Sequence, residues 1–266
     1  MLAKLKTKIY ILLLTKGIYL RSSSRPVKND LLKIISKLKP FNTNHELIRI
    51  GSENDGGYLI PNDLEGVKYC FSAGISDNCQ FEEDLAERGI QCLMADGSID
   101  SPPNDHHNFH FDSVYIKANK SEGCTTLKEW SEAYKKTGEL CDSILSMDIE
   151  GDEFESILST PNEILNKFRI ITLEIHGLER VMHKPFTPLF TAFIDKLLEN
   201  FTVIHLHPNN TCPLINVHNI TVPGTIEITL INNSRLDKSL TFQHSRLPHL
   251  LDTPNNPGKP DIRLSR

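Results

Sequence analysis

The sequence predicts an α/β fold with a mostly parallel sheet of seven strands and helices on both of its faces. Short apolar strands alternate with helical segments from Leu47 onward, which is the pattern of successive βα units. The last two strands have no helix between them and therefore predict an antiparallel hairpin at the end of the sheet. A chain of 266 residues that is 39% hydrophobic is long enough to bury one sizeable core.

The individual elements follow from the same patterns. The predicted strands are short apolar runs near 67–72, 90–95, 113–117, 143–148, 169–174, 201–207 and 225–231. The predicted helices lie near 80–88, 126–137, 153–159 and 186–199. Before the first of these strands, the sequence Asp55-Gly56-Gly57 indicates a tight turn. Together these elements predict one main domain over residues 46–266.

Residues 1–45 carry helical patterning and are predicted to form a lead-in to this domain. The one-face apolar spacing of Leu31–Leu38 ends before Pro40, which stops the helix. Residues 1–20 combine lysines with an apolar run that is too short for a bilayer, which needs about 20 apolar residues. We interpret them as a helix packed on the domain or a partner, or as a basic amphipathic helix that touches a membrane surface.

The end of the chain is rich in proline. The strand pattern fades after Asn232, and four prolines follow at positions 248, 254, 257 and 260. Because proline fixes φ and lacks an N–H donor, this tail is expected to lie extended over the surface of the domain.

Charge and cysteine content exclude some classes of protein. A net charge of -5 and a pI near 6.1 give no broad basic field for a phosphate backbone, so nucleic acid is not expected as a substrate. Six cysteines occur without a C-x-x-C pair, which indicates neither a zinc ribbon nor a disulfide framework. A reducing cytoplasmic location fits this cysteine usage best.

The turn after the first strand has the composition of a ligand-binding βα turn. Gly74 follows Ser72 and Ala73, and Asp77 precedes the next helix. A small residue lets a ligand approach the main chain, and the helix N-terminus adds partial positive charge. Asp96, which ends the second strand, could accept hydrogen bonds from both hydroxyls of a ribose. The motif G-x-G-x-x-G is absent, so an ordinary βα turn with a turn-forming aspartate is the alternative.

Carboxylates end the fourth strand. Asp148 and Glu150 are two residues apart, so they share a face if the strand persists. Side chains at the carboxyl end of a parallel sheet border the ligand crevice. Capping of the next helix by Glu150 or Asp152 is the competing interpretation.

Histidines end the fifth and sixth strands. Glu174 and His176 share one face, and His205 and His207 do the same on the next strand. Neutral imidazole can act as a general base, a proton shuttle or a metal ligand, although a hydrogen-bonded structural histidine is the simpler interpretation. The candidate ligands for a divalent metal are Asp148, His176, His205 and Glu227.

With these segments in place, the chain resembles class I S-adenosylmethionine-dependent methyltransferases, and more closely the FkbM-type members and their methyltransferase-like relatives. The resemblance runs from about Leu47 to the C-terminus. The segments that carry it are Arg49–Tyr58, Phe71–Ser76 with Phe81–Leu85, Ser146–Glu153, Leu173–Gly177, His205–Asn210, Pro223–Thr229 and Leu251–Asn256. It implies a seven-stranded sheet of order 3-2-1-4-5-7-6 and methylation of a hydroxyl group on a glycan or a small molecule.

The resemblance also implies roles for particular residues. The turn from Ser72 to Gly74 would face the methionine part of the cofactor, Asp96 its ribose and Asp148 the methyl donor. The full set of predicted cofactor-binding residues is Gly57, Ser72, Ala73, Gly74, Asp77, Asp96 and Asp148.

A sugar hydroxyl is a poor nucleophile at neutral pH, so a base is expected to remove its proton. We predict that His176 or His207, oriented by Glu174, does so beside Asp148, with a metal as a further aid. The residues predicted to bind the acceptor are Glu150, His205, Asn209 and Asn210.

Two other functions are compatible with the sequence. A nicotinamide-dependent oxidoreductase of Rossmann type is one, although it lacks the glycine fingerprint and would not be expected to end in a hairpin. A non-catalytic protein that keeps the fold and binds glycans or acts as a scaffold is the other, because a fold does not prove an activity.

Overall fold

A computed structural model describes residues 28–134, 142–237, 239 and 243–264. Its strands, in chain order, are β1 Leu47–Gly51, β2 Gly57–Pro61, β3 Tyr69–Ala73, β4 Gln91–Ala95, β5 Phe109–Asp112, β6 Tyr115–Ile116, β7 Cys124–Thr125, β8 Ser143–Met147, β9 Phe168–Ile175, β10 Phe201–Pro208, β11 Leu214–Val217, β12 Ile220–Pro223 and β13 Ile226–Asn232. Seven of them form one sheet in the order β10-β13-β9-β8-β3-β4-β5. The pairs from β9 to β5 are parallel, and β13 is antiparallel to both of its neighbours.

This sheet is Rossmann-like. Counted in chain order over its seven strands alone, the sheet reads 3-2-1-4-5-7-6, and its seventh strand is the antiparallel one. The labels β1–β13 differ from this count of seven, because six further short strands of the described chain pair outside the sheet. Every residue of β3, β8 and β9 is buried, as expected for parallel strands that are covered on both faces.

The third strand of the sheet is not where the sequence pattern placed it. It begins at Phe109, whereas the predicted strand spans 113–117. Phe109 and Phe111 pack against the core beside β4, while Tyr115 and Ile116 leave the sheet and pair with β7. The apolar run that was predicted to be a strand therefore forms a small separate ladder.

The helices are α1 Lys28–Lys37, α2 Gln80–Ala86, α3 Leu127–Ala133, α4 Glu153–Ser159, α5 Asn162–Leu165 and α6 Phe186–Leu198, with 3-10 turns at Leu178–Met182 and Asn233–Arg235. Alternate strand residues pack on opposite faces of the sheet. Phe71 and Leu145 face α1 and α3–α6, whereas Cys70 and Ile144 face α2 and the β1–β2 hairpin. The second face thus carries one described helix and a hairpin, where the sequence predicted helices alone.

The lead-in helix packs on the domain. Leu31 and Ile34 of α1 are buried in the core, and Lys37 forms an ion pair with Asp195 of α6. The predictions for residues 1–20 lie outside the described residues. Within the part of the chain that the structure describes, no helix has the length and apolar content needed to cross a bilayer.

The proline-rich tail does more than lie on the surface. Asn255 is buried, and its amide reaches Glu227 on β13 and Asp55 in the β1–β2 turn. The side chain of Asp252 is also buried, with 3% of its surface exposed, against His205. Apart from Asn255, the described residues of 248–264 are at least partly exposed, as expected for a surface tail, but Asp252 and Asn255 also anchor this stretch to buried groups on the sheet.

Candidate functional site

The sheet has a topological switch point at β3, which pairs with β4 on one side and β8 on the other. In open α/β sheets, ligands bind in the crevice outside the carboxyl ends of the strands at such a point. The main chains come very close there: a Cβ built on Gly74 would lie 1.7 Å from the carbonyl oxygen of Asp148. Gly74 also has a φ of +84°. Glycine is thus required by main-chain packing at the floor of the crevice.

Glu153 organises one wall of this crevice. The side chain is fully buried, and its Oε1 accepts hydrogen bonds from the main-chain N–H groups of Ile149 and Gly151, both at 3.1 Å. The same oxygen lies 3.1 Å from Nδ1 of His176. Because a carboxylate can only accept this bond, Nδ1 carries the hydrogen and Nε2 is the nitrogen available to the crevice.

Three further carboxylates surround Nε2 of His176. Asp148 Oδ1 lies 3.7 Å away, and Glu150 Oε2 and Glu174 Oε1 each lie 3.8 Å away. Burial alone would lower the pKa of His176, but the hydrogen bond to Glu153 and the nearby carboxylates raise it above the usual imidazole value. Burial raises the pKa of Asp148 and of Glu174, and neighbouring carboxylates add to this effect. These five residues, Asp148, Glu150, Glu153, Glu174 and His176, are called the His176 group below.

A second set of carboxylates adjoins the first. Oxygens of Asp55, Glu174 and Glu227 lie within 4.8 Å of one another. Amide groups hold all three: Asn209 Nδ2 donates to Glu174 Oε1 at 2.7 Å, and Asn255 Nδ2 donates to Glu227 Oε1 at 2.5 Å and to Asp55 Oδ1 at 2.9 Å. Glu174 belongs to both sets and therefore links them.

The structure brings together only part of the predicted metal set. Asp148 and His176 share one site with Glu150, whereas Glu227 lies in the second set. His205 is 3% exposed, and its Nε2 faces Asp252 of the tail at 2.9 Å. The four predicted ligands therefore do not form a single centre in the described part of the chain.

His207 is bound on both sides of its ring. Nδ1 lies 3.4 Å from Glu227 Oε2, and Nε2 lies 3.2 Å from Asp261 Oδ1. Burial alone would lower the pKa of His207, but the bond to Glu227 and the surrounding carboxylates raise it. With both nitrogens occupied, His207 is poorly placed as the predicted base, and the geometry favours His176.

The residues predicted to bind the acceptor are mostly used within the chain. Asn209 Nδ2 binds Glu174, and its Oδ1 accepts from the main chain and hydroxyl of Thr211. The amide of Asn210 donates to carbonyl oxygens of the tail and accepts from the N–H of Asn256. Of the predicted acceptor residues, Glu150 stays open, with 88% of its side chain exposed. Asn209, Asn210 and His205 thus make contacts within the chain, and their roles in acceptor binding stay predictions.

The carboxylate of Asp96 is hydrogen-bonded within the chain. Its Oδ2 accepts from the N–H groups of Ile75 and Ser76, and its Oδ1 accepts from the N–H and hydroxyl of Ser98. Burial alone would raise the pKa of Asp96, but these four hydrogen bonds hold it below the usual value. The carboxylate joins two turns of the crevice, so a ribose contact would have to replace a bond to Ser98.

The other predicted cofactor residues divide into two kinds. Ser72 and Ala73 are buried strand residues, and the Ser72 hydroxyl binds Glu82 of α2, so these side chains cannot reach a ligand in the crevice. Gly57 lies in the β1–β2 hairpin, where a Cβ would be 1.9 Å from the carbonyl oxygen of Ser52. Asp77 is exposed in the turn between β3 and α2 and remains accessible.

Several residues of the site were not predicted from sequence. Glu153 looked like an ordinary helix-start residue, and Asp55 like a turn residue. Asp252, Asn255 and Asp261 lie in a stretch without regular structure. Glu153 is the second carboxylate after the Asp148-Ile-Glu150-Gly151 segment, and that position was the available signal for it. Asp252 and Asn255 lie in the segment Leu251–Asn256 that carries the family resemblance, but no local pattern predicts their partners on the sheet.

A cavity of about 520 Å³ lies elsewhere in the molecule. It is lined by residues of 118–132 and 159–161 and contains none of the predicted site residues. The crevice at the switch point is therefore the candidate site because of its chemistry rather than its volume.

The sequence matches no protein-family model and no curated protein. Among solved structures, the chain is similar to a fibrillarin/Nop5p complex, with 10% identity, a TM-score of 0.37 and coverage of 63% of this chain and 73% of that one. It is also similar to a 16S rRNA (adenine(1408)-N(1))-methyltransferase variant from Catenulisporales acidiphilia, with 10% identity, a TM-score of 0.32 and coverage of 73% and 99%. A third similar structure is a putative RNA methyltransferase from Pyrococcus horikoshii, with 11% identity, a TM-score of 0.31 and coverage of 77% of this chain and 99% of that one. Similarities with TM-scores below 0.5 carry no conclusion about the activity of this chain.

Proposed function

We propose that this protein is a class I S-adenosylmethionine-dependent methyltransferase, related to the FkbM type, that methylates a hydroxyl group on a glycan or a small molecule. The observation that carries the proposal is the crevice at the switch point of a sheet with the order 3-2-1-4-5-7-6. Carboxylates and one imidazole line this crevice. The strand order is the one that the resemblance to class I methyltransferases implies.

The side chains beside the turn between β3 and α2 fit a cationic cofactor. S-adenosylmethionine carries a sulfonium and an ammonium group and supplies the methyl group when it is bound. Asp148 stands across the turn from Gly74, and the exposed Asp77 lies at its far end. Carboxylates beside this turn would attract a cationic ligand. Asp96 would act indirectly, by fixing the main chain of the turn.

His176 is the residue that we assign to the acceptor hydroxyl. Its Nδ1 is held by Glu153, which leaves Nε2 beside Asp148 and the exposed Glu150 at the rim. Once its own proton is lost, Nε2 can take the proton of the hydroxyl, or it can hold an ion that lowers the pKa of that hydroxyl. Orientation by Glu153 replaces the role that the sequence suggested for Glu174.

Calorimetric titration with S-adenosylmethionine tests the cofactor assignment. Asp148→Ala is expected to weaken binding about tenfold, which corresponds to about 1.4 kcal/mol. Glu155→Gln, on an exposed position of α4, is the matched control and should bind as the wild type does. Absence of binding by the wild type at about 1 mM cofactor would contradict the proposal.

Transfer of a labelled methyl group to a panel of glycans and small hydroxyl compounds tests the reaction itself. His176→Ala should keep its affinity for S-adenosylmethionine but lose roughly a hundredfold in transfer rate. Running the assay with and without EDTA distinguishes the two roles of His176: EDTA lowers the transfer rate if His176 holds an ion and leaves it unchanged if His176 accepts the proton. Transfer by His176→Ala at the wild-type rate would exclude His176 from the reaction.

A further inference from the structure

We infer that Asp148, Glu150 and His176 bind one divalent cation, with Glu153 as a positioning residue. The candidate ligand atoms of the three residues lie within 4.8 Å of one another. Donor atoms bound to one ion at about 2.1 Å are about 3.0 Å apart at 90° and about 4.2 Å apart at 180°. The distances of 3.7 and 3.8 Å from Nε2 of His176 to Asp148 and Glu150 fall within that range. Only a small inward movement would be needed to close the site on an ion.

Unpaired buried oxygens provide a second, independent observation. Oδ1 of Asp148 is buried without a hydrogen-bond partner among the described residues, although about a third of the side chain is exposed (34%). Oε2 of the fully buried Glu153 also has no partner there. A buried unsatisfied polar atom costs about 1–3 kcal/mol, and more when it is charged. A bound ion beside Asp148 would satisfy the first of these oxygens directly.

The imidazole is held in the orientation that metal ligands need. Histidine ligands usually donate their other ring N–H to a carboxylate or a carbonyl, which fixes the tautomer and makes the ligating nitrogen more basic. Glu153 accepts that bond from His176 and is itself fixed by two main-chain N–H groups. Glu150 reaches the site through a left-handed main-chain conformation, with a φ of +57°.

Charge balance also favours a cation. Four carboxyl groups lie within 3.8 Å of the nitrogens of one imidazole, and a bound cation would offset the mutual repulsion of such a crowded acidic set. The nearby Lys117 is paired with Asp152 at 2.9 Å. Two carboxylates and one imidazole, with space on the exposed side for water, suit Mn²⁺, Mg²⁺ or Fe²⁺.

With a cation bound at this site, Nε2 of His176 holds the ion and does not itself take the proton of the acceptor hydroxyl. The binding itself does not depend on methyl transfer. Only the further step, in which the ion lowers the pKa of an acceptor hydroxyl, rests on the proposed function.

Titration of the full chain with Mn²⁺, followed by the electron paramagnetic resonance of the free ion, tests the inference. One ion per chain is expected, with a Kd of about 1–100 µM. Asp148→Asn and Glu150→Gln should each weaken binding at least about tenfold, and Glu155→Gln should not change it. Glu150 is exposed, so its substitution is expected to fold normally. Absence of saturable binding, or equal affinity in all four proteins, would overturn the inference.

Thermal unfolding distinguishes an ion site from a structural ion-pair cluster. Without added metal, Asp148→Asn should unfold at the same temperature as the wild type or at a higher one, because it removes one charge from a crowded set. Added Mn²⁺ should raise the Tm of the wild type but not of Asp148→Asn, since only ligand bound to the native state stabilises it. A lower metal-free Tm, together with equal Mn²⁺ shifts in both proteins, would show that the cluster is structural. Titration with S-adenosylmethionine in EDTA is independent of these outcomes, so failure of either proposal can be recognised alone.

Discussion

Glu174 and Glu227 lie directly opposite each other on adjacent antiparallel strands, and both side chains are buried. Like charges at opposed cross-strand positions destabilise a sheet. Asn209 and Asn255 donate one hydrogen bond to each carboxylate, but neither amide brings a positive charge. Such a pair is costly to the fold, which is the pattern expected where residues serve a ligand rather than stability.

Replacing Glu174 by Gln should stabilise the protein and impair its function. Burial and the nearby Asp148 and Glu227 raise the pKa of Glu174 to about 10, so at pH 8 the fold bears the cost of keeping this carboxyl protonated. Gln removes that cost and keeps an oxygen that can accept from Asn209, so we expect a gain of about 1 kcal/mol in unfolding free energy at pH 8. Methyl transfer should fall in the same variant. Urea unfolding measures the first effect, with the exposed Glu163→Gln as the control. A clear loss of stability in Glu174→Gln would contradict this account.

Glu82 should make stability depend on pH. It is fully buried on α2, and burial raises its pKa from 4.5 to about 7, against the opposing effect of the Ser72 hydrogen bond. Because the folded pKa is raised, the stabilising contribution is complete below about pH 4.5 and is lost as the pH rises through about 7. At pH 8 the ionised form costs roughly 3 kcal/mol, at 1.36 kcal/mol per unit of pKa.

The variant Glu82→Gln should escape this loss. Its unfolding free energy is expected to exceed that of the wild type at pH 8 and to approach it at pH 4.5. Glu87→Gln, exposed near the end of the same helix, should follow the wild-type pH profile. Parallel pH profiles for wild type and Glu82→Gln would show that the pKa of Glu82 is the same in the folded and unfolded protein, which would contradict this account.

Asp96→Asn should destabilise the turn between β3 and α2. An amide cannot accept on both sides, so hydrogen bonds from Ser98 or from the main chain of Ile75 and Ser76 are lost, at a cost of about 2 kcal/mol. Urea unfolding at pH 7 measures this cost, with the exposed Asp100→Asn as the control. Weaker binding of S-adenosylmethionine without loss of stability would instead favour the direct ribose contact predicted from sequence.

His207 should control how firmly the tail is held. Burial alone would lower its pKa, but Glu227 and the neighbouring Asp252 and Asp261 raise it above 6.5. The ion pair with Asp261 is therefore complete below about pH 6.5 and is lost as the pH rises through the raised value. Tryptic cleavage of the tail, normalised to an unstructured peptide, should accelerate between about pH 6.5 and pH 9.

The control for this experiment is a histidine away from the tail. His207→Gln should show tail cleavage that varies little with pH, whereas the exposed His110→Gln should behave as the wild type does. If the wild type and His207→Gln respond alike, the tail is held by contacts that do not involve the His207 charge.

The sequence by itself predicted most strands and helices of the main sheet, whereas the order of the strands was implied by the resemblance to class I methyltransferases. Short, mostly apolar runs that are buried along their whole length, such as Tyr69–Ala73 and Ser143–Met147, can be predicted from local pattern. The missing helix before Ile226 indicated the antiparallel hairpin. The strand at Phe109 was misplaced because two neighbouring short runs both suit a strand, and only packing against β4 decides between them.

The partners within the site were decided by the tertiary structure alone. From its position in the sequence, His176 could have paired with Glu174, yet the buried Glu153 holds its ring. Asn255 and Asp261 come from a tail without regular structure, but they bind residues on the sheet. Periodicity reports which face a side chain occupies, whereas its partner depends on the path of the chain through space. The sequence therefore located the carboxylates and histidines, and the fold selected which of them meet.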